Sequence, residues 1–121
     1  MKKVLIVDDH SDIRRLISIT LGNKFEVLEA GDGDSGLNII RKMQPDVVVL
    51  DVMMPGNLNG MEVLDAIKTD PGLKHIHVIM VTARGQVADY DDGMRRGADA
   101  YFIKPFSPLQ ITALINKILT E

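Results

Sequence analysis

The chain has 121 residues, 45% of them hydrophobic and 26% charged, which suits one compact domain of ordinary globular composition spanning residues 1–121. A net charge of −3 gives no electrostatic case for direct nucleic-acid binding, and 4% aromatic residues leave few rings for base stacking. The absence of cysteine excludes a disulfide framework and a thiolate metal site, and is compatible with a reducing compartment.

The first predicted strand is Val4 to Val7, ending in Asp8-Asp9. Four apolar residues after Lys2-Lys3 are too few for a signal peptide or a membrane span, so a cytoplasmic location with no membrane partner is expected. Ser11 is the expected N-cap of the first helix, with Asp12 in its first turn, Ile13, Leu16, Ile17 and Leu21 at helical spacing, and Gly22-Asn23 at its end. Phe25 to Ala30 predict a shorter edge strand. A Gly/Asp-rich turn leads into a helix carrying Leu37, Ile40 and Met43, closed by Pro45. Val47 to Leu50 are four apolar residues, three of them β-branched, as in a central parallel strand covered on both faces. Asp51 follows, and an unpaired buried charge is costly, so its expected place is the carboxyl edge of the sheet, where open α/β folds bind ligands.

Asn59 and Glu62 form a capping-box pattern before a helix bearing Met61, Val63, Leu64 and Ile67, which Asp70-Pro71-Gly72 breaks. Val78 to Val81 predict a fourth strand ending in Thr82-Ala83. A polar helix over Val87 to Arg96 ends at Gly97, and Ala98 to Ile103 predict a fifth strand before Lys104-Pro105. Ser107-Pro108-Leu109-Gln110 opens the last helix, with Ile111, Leu114, Ile115, Ile118 and Leu119 on its apolar stripe. Strand and helix thus alternate five times, which implies a doubly wound α/β fold with a parallel sheet.

In a parallel sheet the strand ends lie along one edge. If the first and third strands are neighbours, Asp8, Asp9 and Asp51 converge on one pocket. Three close carboxylates repel unless a cation sits among them, and the all-oxygen donor set fits Mg²⁺ best. Lys104 adds a positive group and Thr82 a hydroxyl, a set suited to a phosphoryl group.

The pieces Val7-Asp8-Asp9, Leu50-Asp51-Val52-Met53-Met54-Pro55, Val81-Thr82-Ala83, Gly97-Ala98-Asp99-Ala100-Tyr101 and Lys104-Pro105-Phe106, in this order and spacing, resemble a response-regulator receiver domain of two-component signalling over essentially the whole chain. The resemblance implies a flavodoxin-like five-stranded sheet of order 2-1-3-4-5, the order the chemotaxis receiver exemplifies. It implies a phosphorylation-dependent switch rather than an enzyme. Asp51 would accept a phosphoryl group from the phosphohistidine of a sensor histidine kinase or phosphotransfer protein. Asp8, Asp9, Asp51 and the Met53 backbone carbonyl would hold Mg²⁺, with Mn²⁺ as a substitute. Thr82, Ala83 and Lys104 would bind the phosphoryl group, Tyr101 would be the switch aromatic, and the bond before Pro105 would be cis. Met53 and Arg84 would flank the path of the hydrolytic water, and with no base offered there, slow self-dephosphorylation is expected. The face of the fourth helix, fifth strand and fifth helix, around Ala88, Tyr90, Arg95, Tyr101 and Lys117, would meet an output protein or domain, or a second phosphorylated copy. The chain would be either a stand-alone receiver or part of a longer regulator.

Two departures from the family pattern are visible. The loop Gly56-Asn57-Leu58-Asn59-Gly60 is one residue longer than usual, and His77 stands where Pro is common. Gly31 to Gly36 spells the dinucleotide-binding G-x-G-x-x-G, but after the second strand and with two aspartates that would repel pyrophosphate, so Asp32 is read as a helix cap. The rival function is a Mg²⁺-dependent aspartyl-phosphate phosphatase or phosphotransferase acting on a small substrate. Such enzymes use Asp-x-Asp, and here Val52-Met53 follows Asp51. His10 follows the acidic pair and is a conceivable metal ligand, but the expected reading is a solvent-facing loop residue, with Met53 and Met54 as packing residues.

Overall fold

The computed structural model describes residues 1–54, 56–83 and 87–120, and for Ala83 and residues 87–90 the backbone alone. Five strands alternate with five helices: β1 (Lys3–Val7), α1 (Ser11–Leu21), β2 (Glu26–Ala30), α2 (Gly33–Met43), β3 (Val47–Asp51), α3 (Gly60–Lys68), β4 (His77–Ala83), α4 (Val87–Arg95), β5 (Ala100–Lys104) and α5 (Pro108–Thr120). All four strand pairs are parallel, and the order is β2-β1-β3-β4-β5. This is the doubly wound parallel sheet expected from the alternation, in the flavodoxin-like order that the family resemblance implies. No helix among the described residues is long and apolar enough to cross a membrane.

The period of two along a strand explains how one run of apolar residues serves two cores. Leu5, Val7, Val48 and Leu50 face one side, where they pack with Ile40 of α2 and with Val63, Leu64 and Ile67 of α3. Val4, Ile6, Val47 and Val49 face the other, against Ile17 and Leu21 of α1 and Ile111 and Ile115 of α5. Every residue of β3 is buried. Each such aliphatic side chain contributes about 1.5–3 kcal/mol on burial, which makes β1 and β3 the rigid centre of the sheet.

The helix ends follow local chemistry. Asp32 accepts the Ser35 N–H at 2.7 Å, capping α2, and this hydrogen bonding lowers its pKa. The glycine-rich turn is therefore a cap, and the space beside Gly33 is filled by Leu58, leaving no cradle for a pyrophosphate. Asn59 and Glu62 form a complete capping box. Gly22 and Gly97 have φ of +67° and +108°, a backbone region where glycine carries no steric cost, and each terminates a helix.

Three expectations need correction. Ser11 is not the N-cap of α1. His10 occupies that position, and its side chain makes no capping bond. β4 begins one residue earlier than predicted, at His77, and β5 begins two later, at Ala100. Ala98 and Asp99 are diverted: the Ala98 N–H closes on the Gly93 carbonyl, and the Asp99 carboxylate accepts the Val78 N–H at 2.8 Å.

Candidate functional site

The β1–β3 pairing (Val7 beside Leu50) brings the ends of those strands together at the carboxyl edge, where the connections leave to opposite sides. Asp8 and Asp51 are both 3% exposed. The Asp9 side chain is more open, at 28%. Lys104, the last residue of β5, reaches back along the edge. Its Nζ lies 3.2 Å from Asp8 Oδ2 and 3.4 Å from Asp51 Oδ2. Asp51 Oδ1 accepts the Met53 N–H at 3.2 Å, so one carboxylate oxygen is held by backbone and the other faces the ammonium.

Asp51 was expected at the edge because a charge avoids the core, but it is at the edge and buried as well. Burial is the largest cause pushing its pKa up, to about 6, with the Asp8 charge adding to the shift; Lys104 and the Met53 N–H oppose it without cancelling it. Burial disfavours the Lys104 charge in turn, yet Asp51 and Asp8 outweigh that and hold its pKa above the ordinary lysine value. The pocket therefore has an excess of negative charge, with three carboxylates facing one lysine ammonium.

The carboxylates of Asp8, Asp9 and Asp51 and a ring nitrogen of His10 lie within 4.8 Å of one another. Hard oxygen donors at this spacing, in a pocket that already strains against its own charge, fit a divalent cation such as Mg²⁺. Met53 lies two residues beyond Asp51 and, expected to be a packing residue, is instead 61% exposed.

Thr82 stands one residue beyond Val81, the register partner of Asp51. It is fully buried, and its hydroxyl has no hydrogen-bond partner among the described residues. A buried, unmade hydrogen bond costs about 1–3 kcal/mol. A hydroxyl left so near the Asp51 edge is suited to an incoming oxygen. Ala83 and Lys104 are register partners in β4 and β5, and the Lys104–Pro105 bond is cis. Tyr101 is partly buried against the α2/α3 core, with its ring beside Gly93 of α4. Arg95 ends α4 and Lys117 sits in the last turn of α5. Arg84 and Pro55 lie outside the described residues, as do the side chains of Ala83, Ala88 and Tyr90.

Two further residues reach the site: His10, weighed in the sequence, and Arg14, which was not anticipated. His10 was read as solvent-facing, and its side chain is 59% exposed, but Nδ1 lies 3.1 Å from Asp8 Oδ1 and 3.2 Å from Asp9 Oδ1. Its position directly after the acidic pair was the available signal. Arg14 donates from Nη1 to the Asp8 carbonyl at 2.6 Å and pairs with Glu29 of β2, bracing the turn after β1. That contact depends on the lie of α1 against β2, which no sequence spacing encodes.

Comparison with known proteins places these features in a family. The family model for the response regulator receiver domain matches residues 4–116. The chain is 43% identical over 119 residues to a protein named probable transcriptional regulator ycf27 from Guillardia theta, covering 98% of this chain and 45% of that protein. It is 36% identical to the phosphate regulon transcriptional regulatory protein PhoB of Klebsiella pneumoniae, covering 98% of this chain and 52% of that one. The chain thus spans about half the length of these relatives. Among solved structures, chemotaxis protein CheY4 of Vibrio cholerae superposes with a TM-score of 0.86 at 32% identity, covering 98% of both chains.

Proposed function

The chain belongs to the response regulator receiver domain family, and on that premise we propose that it is a phosphorylation-dependent switch whose acceptor is Asp51. The observation that carries this reading is the buried Asp51 carboxylate, held by the Met53 N–H on one oxygen and faced by Lys104 on the other. With a pKa of about 6 it is mostly ionised at neutral pH, as a nucleophile must be. Asp51 attacks the phosphorus of a phosphohistidine, the P–N bond breaks, the imidazole leaves, and an aspartyl phosphate forms. Phosphoryl transfer of this kind needs positioning and charge stabilisation more than covalent help. Lys104 is placed to pair with a phosphoryl oxygen, and the Thr82 hydroxyl to donate to another. Asp8, Asp9, Asp51 and the Met53 carbonyl would hold Mg²⁺ or Mn²⁺, which when bound neutralises charge on the transferred group.

The donor is a histidine kinase or phosphotransfer protein, and the readout is the face of α4, β5 and α5, presented to an output partner or a second copy. The longer relatives, named as transcriptional regulators, support a reading in which the signal passes to a further region or partner. Hydrolysis of the aspartyl phosphate is slow, because Met53 is apolar and Arg84 offers no base.

The test is incubation with acetyl phosphate and Mg²⁺, read by intact mass. One phosphoryl group is expected on the wild-type chain and none on Asp51→Asn. Undiminished labelling of that variant would move the acceptor to another residue.

A further inference from the structure

His10 is the one residue of the acidic cluster that carries a nitrogen. Its backbone N–H donates to Asp8 Oδ1 at 2.9 Å, and its Nδ1 lies within 3.2 Å of both Asp8 and Asp9. The ring is therefore turned back over the carboxylates rather than away from them. Its orientation is not used by the helix it precedes, since the side chain makes no capping bond. A ring nitrogen this close to two carboxylate oxygens lies where a cation held by those oxygens would meet it.

We infer that His10 is an additional ligand of the divalent-cation site, giving this chain a preference for first-row transition ions such as Co²⁺ and Ni²⁺ over Mg²⁺ beyond what an all-oxygen site would have. The inference rests on the reading of Asp8, Asp9 and Asp51 as a cation site. Coordination through Nδ1 requires the ring proton to reside on Nε2. The imidazole is 59% exposed, so water can carry the proton between the two nitrogens and solvate it at its new place. Mg²⁺ is a hard ion that keeps its waters and gains little from an imidazole. Affinities of nitrogen-containing sites rise from Mn²⁺ through Co²⁺ to Ni²⁺. A plain hydrogen bond and a metal ligand differ in one measurable respect: only a ligand changes the ranking of metals.

The measurement uses Mn²⁺ bound to the full chain, followed by electron paramagnetic resonance and displaced by Mg²⁺, Co²⁺ or Ni²⁺. Displacement reports the acidic site alone, so binding at His75 and His77, which line a separate cleft at the opposite end of the sheet, does not enter. His10→Ala removes the ring. His10→Gln keeps an N–H donor for the carboxylates but offers no nitrogen lone pair. In both variants the ratio of Ni²⁺ to Mg²⁺ affinity should fall by about tenfold or more, with Mg²⁺ itself changed by no more than about twofold. An unchanged ratio in either variant overturns the inference and leaves the carboxylate site standing. Mn²⁺ that binds Asp9→Ala as well as wild type, or binds neither, would overturn the inference together with the reading it rests on.

Discussion

Asp51 concentrates the conflict between folding and function in one carboxyl group. Its folded pKa of about 6 exceeds the ordinary aspartate value of 3.8, so between those values the folded chain binds more protons than the unfolded one. Its contribution to stability therefore falls as pH rises from about 4 to about 6, and the cost persists at higher pH. In metal-free protein, Asp51→Asn should raise stability at pH 8 by on the order of 1–3 kcal/mol and change it little at pH 4. The gain is limited because Lys104 loses one of its two partners, keeping Asp8 at 3.2 Å. Denaturant unfolding in EDTA at the two pH values checks this. Equal stability of the two proteins at pH 8 would mean that Asp51 is not destabilised by its surroundings.

At the scale of elements, the start of α3 is pressed against the end of β3. A Cβ on Gly60 would overlap the Asp51 carbonyl oxygen and lie 2.7 Å from the Val52 Cα, both of them backbone that cannot swing aside. The Gly60 N–H also bonds the Val52 carbonyl at 3.0 Å. Gly60→Ala should therefore cost about 2–3 kcal/mol and slow acetyl-phosphate labelling, because relief of the clash moves the backbone of Asp51, the proposed acceptor. Gly72→Ala, which meets only the flexible Asp70 side chain at 3.4 Å, is the control and should alter neither. Thermal midpoints and labelling rates of the two variants report on this; a Gly60→Ala chain that labels at the wild-type rate would show that the α3 junction does not position Asp51. The capping box at Asn59 and Glu62 belongs to the same junction, so the loop before it ends on an anchored helix start.

At the scale of the molecule, Asp51, the proposed acceptor, lies in the centre of the sheet edge, and a partner cannot easily read it directly. Lys104 contacts it from β5, and β4 and β5 lead outward. Thr82 is on β4, Lys104 and Tyr101 are on β5, and the Tyr101 ring packs 3.2 Å from where a Gly93 Cβ would be on α4. Movement of Thr82 and Lys104 toward a phosphoryl group would pass to Tyr101 and α4. A bias of a few kcal/mol suffices to repopulate such a two-state element. Beryllofluoride, a phosphoryl mimic, should alter amide exchange in α4 and β5 of the wild-type chain. In Thr82→Ala much of that response should be lost while acetyl phosphate still labels Asp51. Changes confined to the turns after β1 and β3 would rule out this route of transmission.

Alternation of apolar runs and helical stripes was enough to read five βα units and a parallel sheet, because the periods of two and 3.6 are local properties of the chain. The meeting of Asp8, Asp9 and Asp51 was legible on the condition that the first and third strands are neighbours, since strand ends of a parallel sheet share one edge; the acceptor role of Asp51 came from the resemblance. The strand order came from family resemblance, and the observed pairing of β1 with β3 agrees with it. What local pattern could not decide was every contact made across the chain. Ser11 looked like a cap by its type, but His10 took the position, with its ring over two carboxylates. Asp51 looked like an edge charge, but its near-complete burial and raised pKa depend on β1, β4 and β5 closing around it. The boundaries of β5 shifted because Asp99 was drawn to Val78, 21 residues away. These outcomes are set by which side chains tertiary packing brings within a few ångströms, and by the dielectric it leaves around them, neither of which is a property of any short stretch of sequence.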